Sequence, residues 1–164
     1  MSDNLISLAE LSARLQPKGR LIGLDLGTKT IGLAMTDVER RLASPLETIR
    51  RTKFRADVAQ LLAATTKFDI QGLVIGLPLN MDGTEGPRAQ ASRAFVRNLA
   101  ALTSMPCVFW DERLSTAAVT RELISHDVSR NKRAAVIDQM AAAYILQGAL
   151  DRLARLSAEP DHMR

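Results

Sequence analysis

The sequence predicts a single α/β domain built around a mixed, five-stranded sheet. Three short apolar runs follow one another near the N-terminus, and two more alternate with segments of helical periodicity. The chain has 164 residues, of which 46% are hydrophobic and 24% are charged, as in globular domains. This length provides one core of ordinary size. We expect a helical extension over residues 1–19, one domain over residues 20–156 and a disordered tail over residues 157–164.

The first half of the chain predicts a helix followed by an antiparallel meander. Apolar residues at helical spacing, ended by Pro17 and Gly19, predict the helix: Leu5, Leu8, Leu11 and Leu15. Apolar runs over residues 20–26, 30–36 and 42–48 predict three strands. Because the turn Gly27-Thr28-Lys29 joins the first two runs, they are expected to pair in opposite directions.

The second half of the chain alternates helices with strands. Helical spacing covers residues 53–66, 87–103, 115–125 and 135–156, whereas apolar runs over residues 70–75 and 106–110 predict strands. Two loops are expected, one rich in glycine and proline over residues 76–87 and one polar and basic over residues 127–133. Strands that alternate with helices pair in parallel. This order fits the ribonuclease H-like arrangement, although other α/β folds share it.

Composition excludes several kinds of site. The one cysteine, Cys107, excludes disulfides and thiolate metal sites, and His126 and His162 lie too far apart along the chain to predict a zinc site. Without a secretory signal or an apolar run of roughly 20 residues, we expect a cytoplasmic protein that does not enter a membrane. The net charge of +4 and the pI of about 9.7 suit a polyanionic partner. Aromatic residues, at 4%, are too few for a base-stacking surface.

Asp25 lies inside the almost wholly apolar strand Leu21-Ile22-Gly23-Leu24-Asp25-Leu26-Gly27. Burying an unpaired carboxylate is costly, because the water it loses is not replaced. A metal ion, a lysine partner or exposure at the end of the strand would remove that cost. Gly27 and Gly32 stand close by in the sequence and would permit a phosphate to approach the backbone. Alternatively, Asp25 begins the turn and caps backbone amides.

A second acidic site, Asp111-Glu112-Arg113, follows the last predicted strand. Ligands usually bind where strands end at one edge of an α/β sheet. Because adjacent side chains point to opposite faces, one of the two acids is expected to enter a shared pocket. We predict Glu112, with Asp111 as the alternative. A solvated turn in which Arg113 pairs internally would explain the same residues.

A third acid, Asp138, lies near the start of the last predicted helix. It shares a helical face with small and apolar residues that would pack on a sheet: Ala141, Ala142, Ile145 and Ala149. An aspartate on that face is expected to point inward. A favourable interaction with the positive end of the helix dipole would also account for it.

Asp25, Glu112 and Asp138 are therefore the predicted catalytic and metal-binding residues. Carboxylates from three separate elements could converge at one edge of the sheet, and their oxygens suit Mg²⁺ or Mn²⁺. Two such ions, about 4 Å apart, can activate a water and stabilise the leaving oxygen when a phosphodiester is cleaved. A histidine or serine nucleophile is then unnecessary.

Basic residues near these acids are candidates for substrate binding. Lys29 follows Asp25 in the hairpin turn, and Arg113 could reach the scissile phosphate or orient Glu112. The loop before the last helix adds three more candidates: Arg130, Lys132 and Arg133. They could hold a nucleic-acid backbone without reading its sequence. An exposed turn charge or a merely solvated loop would explain these residues equally well.

Four motifs occur in order between about residue 20 and residue 151. They are Gly23-Leu24-Asp25-Leu26-Gly27-Thr28-Lys29-Thr30-Ile31-Gly32-Leu33-Ala34, Ile75-Gly76-Leu77-Pro78 with Gly83-Thr84-Glu85-Gly86, Asp111-Glu112-Arg113-Leu114-Ser115-Thr116, and Ile137-Asp138-Gln139-Met140-Ala141-Ala142. Together they resemble the YqgF family, also called RuvX. That family is similar in fold to Holliday-junction resolvases and ribonuclease H, and its members are described as nucleases that mature the 5′ end of pre-16S ribosomal RNA. The resemblance implies that Asp25, Glu112 and Asp138 hold the metal.

Other functions fit parts of the sequence. An ATPase or sugar kinase of the actin-like fold also uses an aspartate and glycines on a first hairpin, but it closes two such domains around its nucleotide and this chain has one. A resolvase acting on branched DNA would share the chemistry and differ in substrate. A non-cleaving module would bind structured RNA or a transcription complex. The sequence allows either a monomer or a homodimer.

Overall fold

The computed structural model describes residues 4–114 and 130–158, with the backbone alone for residues 130–137. No helix in these parts of the chain is both long enough and apolar enough to cross a membrane. A 3₁₀ turn, Glu112–Leu114, follows the last strand. In chain order the helices and strands are α1 (Leu8–Arg14), β1 (Arg20–Leu26), β2 (Thr30–Thr36), β3 (Ala43–Arg50), α2 (Phe54–Lys67), β4 (Ile70–Leu77), α3 (Pro87–Leu99), β5 (Cys107–Asp111) and α4 (Arg130–Ala158).

The five strands form one mixed sheet in the order β3-β2-β1-β4-β5. β2 pairs antiparallel with both β1 and β3, whereas β4 pairs in parallel with both β1 and β5. The predicted mixed sheet, a three-stranded meander joined to parallel strands, is confirmed. The carboxyl ends of β1, β4 and β5 consequently lie at the same edge of the sheet.

Helices cover both faces of the sheet. Ile22 and Leu24 of β1 belong to the core cluster on the side of α2 and α3, whereas Leu21 belongs to the cluster that includes residues of α1 and α4. Because successive side chains of a strand point to opposite faces, the odd-numbered residues of β1 point toward α4. Asp25 is one of them.

α4 packs unusually close to the centre of the sheet. Ala141, Ala142 and Ala149 are fully buried or nearly so, which confirms the predicted apolar face of this helix. A β-carbon added to Gly23 of β1 would stand only 2.9 Å from the carbonyl oxygen of Ala142. Small residues on both β1 and α4 therefore permit this close packing. They also determine how near to the sheet the polar residues of α4 lie.

Several boundaries differ from the predicted ones. β4 continues through Gly76 and Leu77, because these residues pair with β5 and do not open the loop. α4 begins at Arg130, so the predicted basic loop is wrong for residues 130–133; arginine, lysine and alanine are good helix formers despite being polar or small. α3 ends at Leu99, four residues before the predicted end. The predicted helix over residues 115–125 and loop residues 127–129 lie outside the described residues.

The N-terminal segment enters the sheet before its helix begins. Leu5 forms a parallel β-bridge with Cys107, and the amide of Ile6 donates to the carbonyl of Cys107 at 2.9 Å. The helix starts only at Leu8, where the side chains and amides of Ser7 and Glu10 form a reciprocal capping box. Residues 4–6 therefore cover the outer edge of β5.

Candidate active site

Asp25 lies near the carboxyl end of β1, on the α4 side of the sheet, and is only 4% exposed. It pairs with Gly32 of β2. On the other side of β1, Leu24 pairs with Ile75 of β4. The next residue of β4, Gly76, therefore lies one step further toward the same edge, beside Asp25. The two strands that flank Asp25 thus each present a glycine there, and neither glycine covers the carboxylate with a side chain.

Glu112 occupies the space above one of these glycines. It lies in the 3₁₀ turn after β5 and is 8% exposed. A β-carbon added to Gly76 would stand 2.8 Å from Glu112 Oε2. The turn at the end of β5 therefore directs this carboxylate back over β4, toward the strand that carries Asp25.

Asp111 has a different environment. Its Oδ2 forms an ion pair with Nη2 of Arg113 at 2.7 Å, and its Oδ1 accepts the backbone amide of Arg113 at 2.9 Å. These hydrogen bonds, chiefly from the guanidinium, hold the pKa of Asp111 below its ordinary value. The side chain of Glu112 therefore lies over Gly76 of β4, whereas the side chain of Asp111 is bound to Arg113.

Asp138 lies on α4 above the other glycine. The backbone carbonyl of Asp138 fills the space that a β-carbon on Gly32 would need. Its carboxylate accepts a hydrogen bond from the hydroxyl of Thr30, the first residue of β2. Asp138 is half-buried, so this helix carries a carboxylate to the strand residue that pairs directly with Asp25.

The three predicted acids thus share one face and one edge of the sheet. As their side chains stand, however, no three acidic, histidine or cysteine side chains within residues 4–114 and 138–158 lie close enough together to hold a metal ion. Three carboxylates at one edge of the sheet match the oxygen chemistry that Mg²⁺ and Mn²⁺ prefer. The donors fit a divalent ion in chemical type, and their side chains would need to turn toward one another to bind it.

The interpretation of Gly32 as a phosphate-approach glycine is wrong. Its space is already filled by the backbone of Asp138, so it serves the packing of α4 on β2. Gly27 does belong to a turn, in which its amide donates to the carbonyl of Thr30 at 2.8 Å. The sequence could not separate these roles, because both favour a residue without a side chain.

The predicted substrate-binding residues fall into three situations. Lys29 is exposed in the turn between β1 and β2. Arg113 binds Asp111, and its Nη1 also donates to the carbonyl of Met81 at 3.2 Å. The remaining three belong to the first turns of α4, and their side chains lie outside the described part of the chain: Arg130, Lys132 and Arg133.

The segment between β4 and α3 borders the site and is held at both ends. Both carboxylate oxygens of Glu85 accept from Arg93 of α3, each at 2.6 Å. This guanidinium holds the pKa of Glu85 below its ordinary value. The bond from Arg113 to Met81 ties the same segment to the turn that carries Glu112. Sequence reasoning missed this arrangement, since only a three-dimensional contact joins the two motifs.

Comparisons with known proteins identify the family of this chain. The RuvX family model, described as "Holliday junction resolvase", matches residues 19–152. A protein of Methylocella silvestris is 65% identical over 97% of this chain and 99% of its own. A protein of Beijerinckia indica is 66% identical over 94% of this chain and 93% of its own. Each of these relatives bears the name "Putative pre-16S rRNA nuclease".

Solved structures share the fold at low sequence identity. RuvC of Thermus thermophilus is 16% identical, with a TM-score of 0.50, over 84% of this chain and 96% of its own. The yeast mitochondrial Holliday junction resolvase Ydc2 is 14% identical, with a TM-score of 0.51, over 92% of this chain and 85% of its own. These likenesses confirm the predicted ribonuclease H-like fold. With a family match over most of its length and relatives above 60% identity, the chain belongs to the RuvX family.

Proposed function

We propose that this protein is a metal-dependent nuclease that processes the 5′ end of pre-16S ribosomal RNA in the cytoplasm. One observation carries the proposal: Asp25, Glu112 and Asp138 approach the same edge of the sheet from three elements, around Gly32 and Gly76. The names of the relatives supply the substrate class.

Asp25, Glu112 and Asp138 would hold Mg²⁺ or Mn²⁺, which supplies Lewis-acid activation of a water and stabilises the leaving oxygen. The burial of Asp25 and Glu112 excludes bulk water and strengthens their electrostatic interactions. Asp138 is half-buried and would be the most accessible of the three to substrate, and the Thr30 hydroxyl would orient its carboxylate.

Basic residues would position the nucleic acid at this site. Lys29 follows the Asp25 strand, and Arg113 holds the turn of Glu112 while facing the segment before α3. Three more basic residues lie in the first turns of α4, a few residues before Asp138: Arg130, Lys132 and Arg133. Contacts of this kind fix the phosphate backbone and do not read bases.

A second candidate is resolution of branched DNA, which the description of the matching family model favours. The same carboxylates would then cut two DNA strands, which requires a homodimer, whereas RNA processing permits a monomer. The fold alone does not choose between these substrates.

The test compares cleavage of a precursor 16S RNA and a four-way DNA junction by the wild type and Asp25→Asn, each with Mg²⁺ or Mn²⁺. We expect metal-dependent cleavage of the RNA by the wild type and none by Asp25→Asn. Preferential cleavage of the junction would favour the second candidate. Equal cleavage by both proteins would mean that the activity lies elsewhere.

A further inference from the structure

A group of basic residues, which we call the basic rim, belongs to the segments at the edge of the sheet where β1 ends. Part of it comes from the junction of β3 and α2, where residues 50–55 include four basic residues and no acidic one. One member comes from the β1–β2 turn and one from the start of α3. The basic rim consists of Lys29, Arg50, Arg51, Lys53 and Arg88.

Two members of the basic rim bind the backbone directly after Asp25. Arg88 Nη2 donates to the carbonyl of Leu26 at 2.7 Å, and Arg51 Nη1 donates to the carbonyl of Gly27 at 2.6 Å. Arg51 also stacks on the ring of Phe95 at 5.9 Å. Because a guanidinium has five N–H donors, each of these side chains keeps donors for a further acceptor.

Arg50 approaches the site from the face that carries the acids. It pairs with Thr30 across the sheet, and the Thr30 hydroxyl binds Asp138. Two residues earlier in β3, the hydroxyl of Thr48 accepts from Gln139 of α4. Since residues two apart in a strand share a face, Arg50 points to the α4 side, where its side chain is exposed.

Within the described chain, no member of the basic rim forms an ion pair with an acidic side chain within 4.0 Å. The ion pairs among the described residues join other arginines to Glu39, Glu85 and Asp111. α2 and α3 also begin at this edge, and neither helix has a side-chain hydrogen bond at its N-cap. Free amides at helix starts add to an attraction for anions that the arginines already create.

We propose that the basic rim binds phosphates of the nucleic acid that flank the bond to be cut. Arg50 and Arg88 contact phosphates, and Arg51, which is half-buried, is a positioning residue that fixes the turn after Asp25. This proposal rests on the proposed nuclease function, which it deepens by naming a binding site for the substrate backbone. It predicts a contribution to affinity that is electrostatic and independent of sequence.

The test measures binding of a fluorescein-labelled precursor 16S RNA over a series of salt concentrations. The protein carries Asp25→Asn, so that the RNA stays intact, and the added changes are Arg50→Gln, Arg88→Gln and both together. Arg97→Gln is the matched control, because Arg97 is exposed near the end of α3, the helix whose start carries Arg88. Melting temperatures verify folding, and Arg88→Lys keeps the charge with a different geometry.

We expect each change in the basic rim to lower the slope of log affinity against log salt by about 0.7–0.9, and the double change by about twice that. Arg97→Gln should leave the slope unchanged. The inference is overturned if the folded Arg50→Gln and Arg88→Gln proteins show the same slope as the control. It is overturned alone if the wild type still cleaves RNA and Asp25→Asn does not. A wild type that neither binds nor cleaves nucleic acid would overturn the proposed function with it.

Discussion

The carboxylate of Glu112 lies over Gly76, a residue 36 positions earlier in the chain, with Oε2 only 2.8 Å from the place of an added β-carbon. Gly76 sits on β4 beside the strand that carries Asp25. A glycine at this point lets an acid from the end of β5 lean across the sheet. The placement of Glu112 therefore depends on the absence of a side chain on its neighbour.

Gly76→Ala should lower activity more than it lowers stability. The added methyl meets the ends of two flexible side chains, Glu112 and Ile145, which can turn away. We expect a cost of about 1 kcal/mol in the free energy of unfolding, together with displacement of the Glu112 carboxylate and a large loss of cleavage. Urea unfolding and a cleavage assay on the same preparation measure both effects.

Gly72→Ala is the control for that change. Gly72 lies on the same strand and face, and its β-carbon would meet Leu11 at 3.0 Å and no carboxylate. The control should retain activity at a similar cost in stability. If both variants lose activity equally, the position of Glu112 over Gly76 is not what matters.

Gly32→Ala should destabilise the protein more than Gly76→Ala does. The added methyl would overlap the backbone carbonyl of Asp138, and a backbone cannot turn away as a side chain can. We expect a loss of about 1–3 kcal/mol, the usual cost of overpacking a core. Denaturation midpoints of the two alanine variants, compared side by side, measure the difference. A Gly32→Ala protein as stable as wild type would show that α4 does not pack so closely.

Asp111→Asn and Glu112→Gln should separate the two adjacent acids. Asp111 pairs with Arg113, so its amide variant should weaken that contact and lower cleavage by less than about tenfold. Glu112→Gln removes a proposed metal ligand and should lower cleavage by more than about 100-fold, beyond what supporting residues cost. Kinetics at saturating Mg²⁺ measure both. The reverse order would make Asp111 the ligand.

Cys107 should be inert toward thiol reagents in the folded protein. Burial raises the pKa of its thiol from the ordinary 9.0 to about 12. Between these values the unfolded chain loses the proton and the folded chain keeps it, so stability should fall as pH rises through this range and be unaffected by this group below it. Cys107→Ala should show a smaller fall in urea-unfolding free energy. Rapid thiol labelling of the native protein near neutral pH would contradict the burial.

The sequence predicts the central sheet well because its strands are short, apolar and separated by clear turns. Residues 20–26 and 30–36 are strands in the structure with the same limits. The α4 face was predicted for the same reason, since helical periodicity reports packing directly. Asp25 stood out as a candidate because a carboxylate in an apolar strand conflicts with burial unless it has a function.

The rest of the site depends on contacts between distant residues. Nothing local shows that Leu5 pairs with Cys107, or that Arg51 and Arg88 bind carbonyls beside Asp25. The spacing of Leu5 and Leu8 fits a helix as well as it fits a bridge followed by a helix. Gly76 likewise read as the start of a loop, because glycine is common in loops and its role beneath Glu112 is tertiary.

The most direct test of the shared carboxylate site is the binding of Mn²⁺ to the intact protein, measured by electron paramagnetic resonance. The wild type and Asp111→Asn should bind the ion, whereas Asp25→Asn, Glu112→Gln and Asp138→Asn should each bind it far more weakly while unfolding at normal urea concentrations. Wild-type affinity in the Asp25→Asn protein would contradict the account.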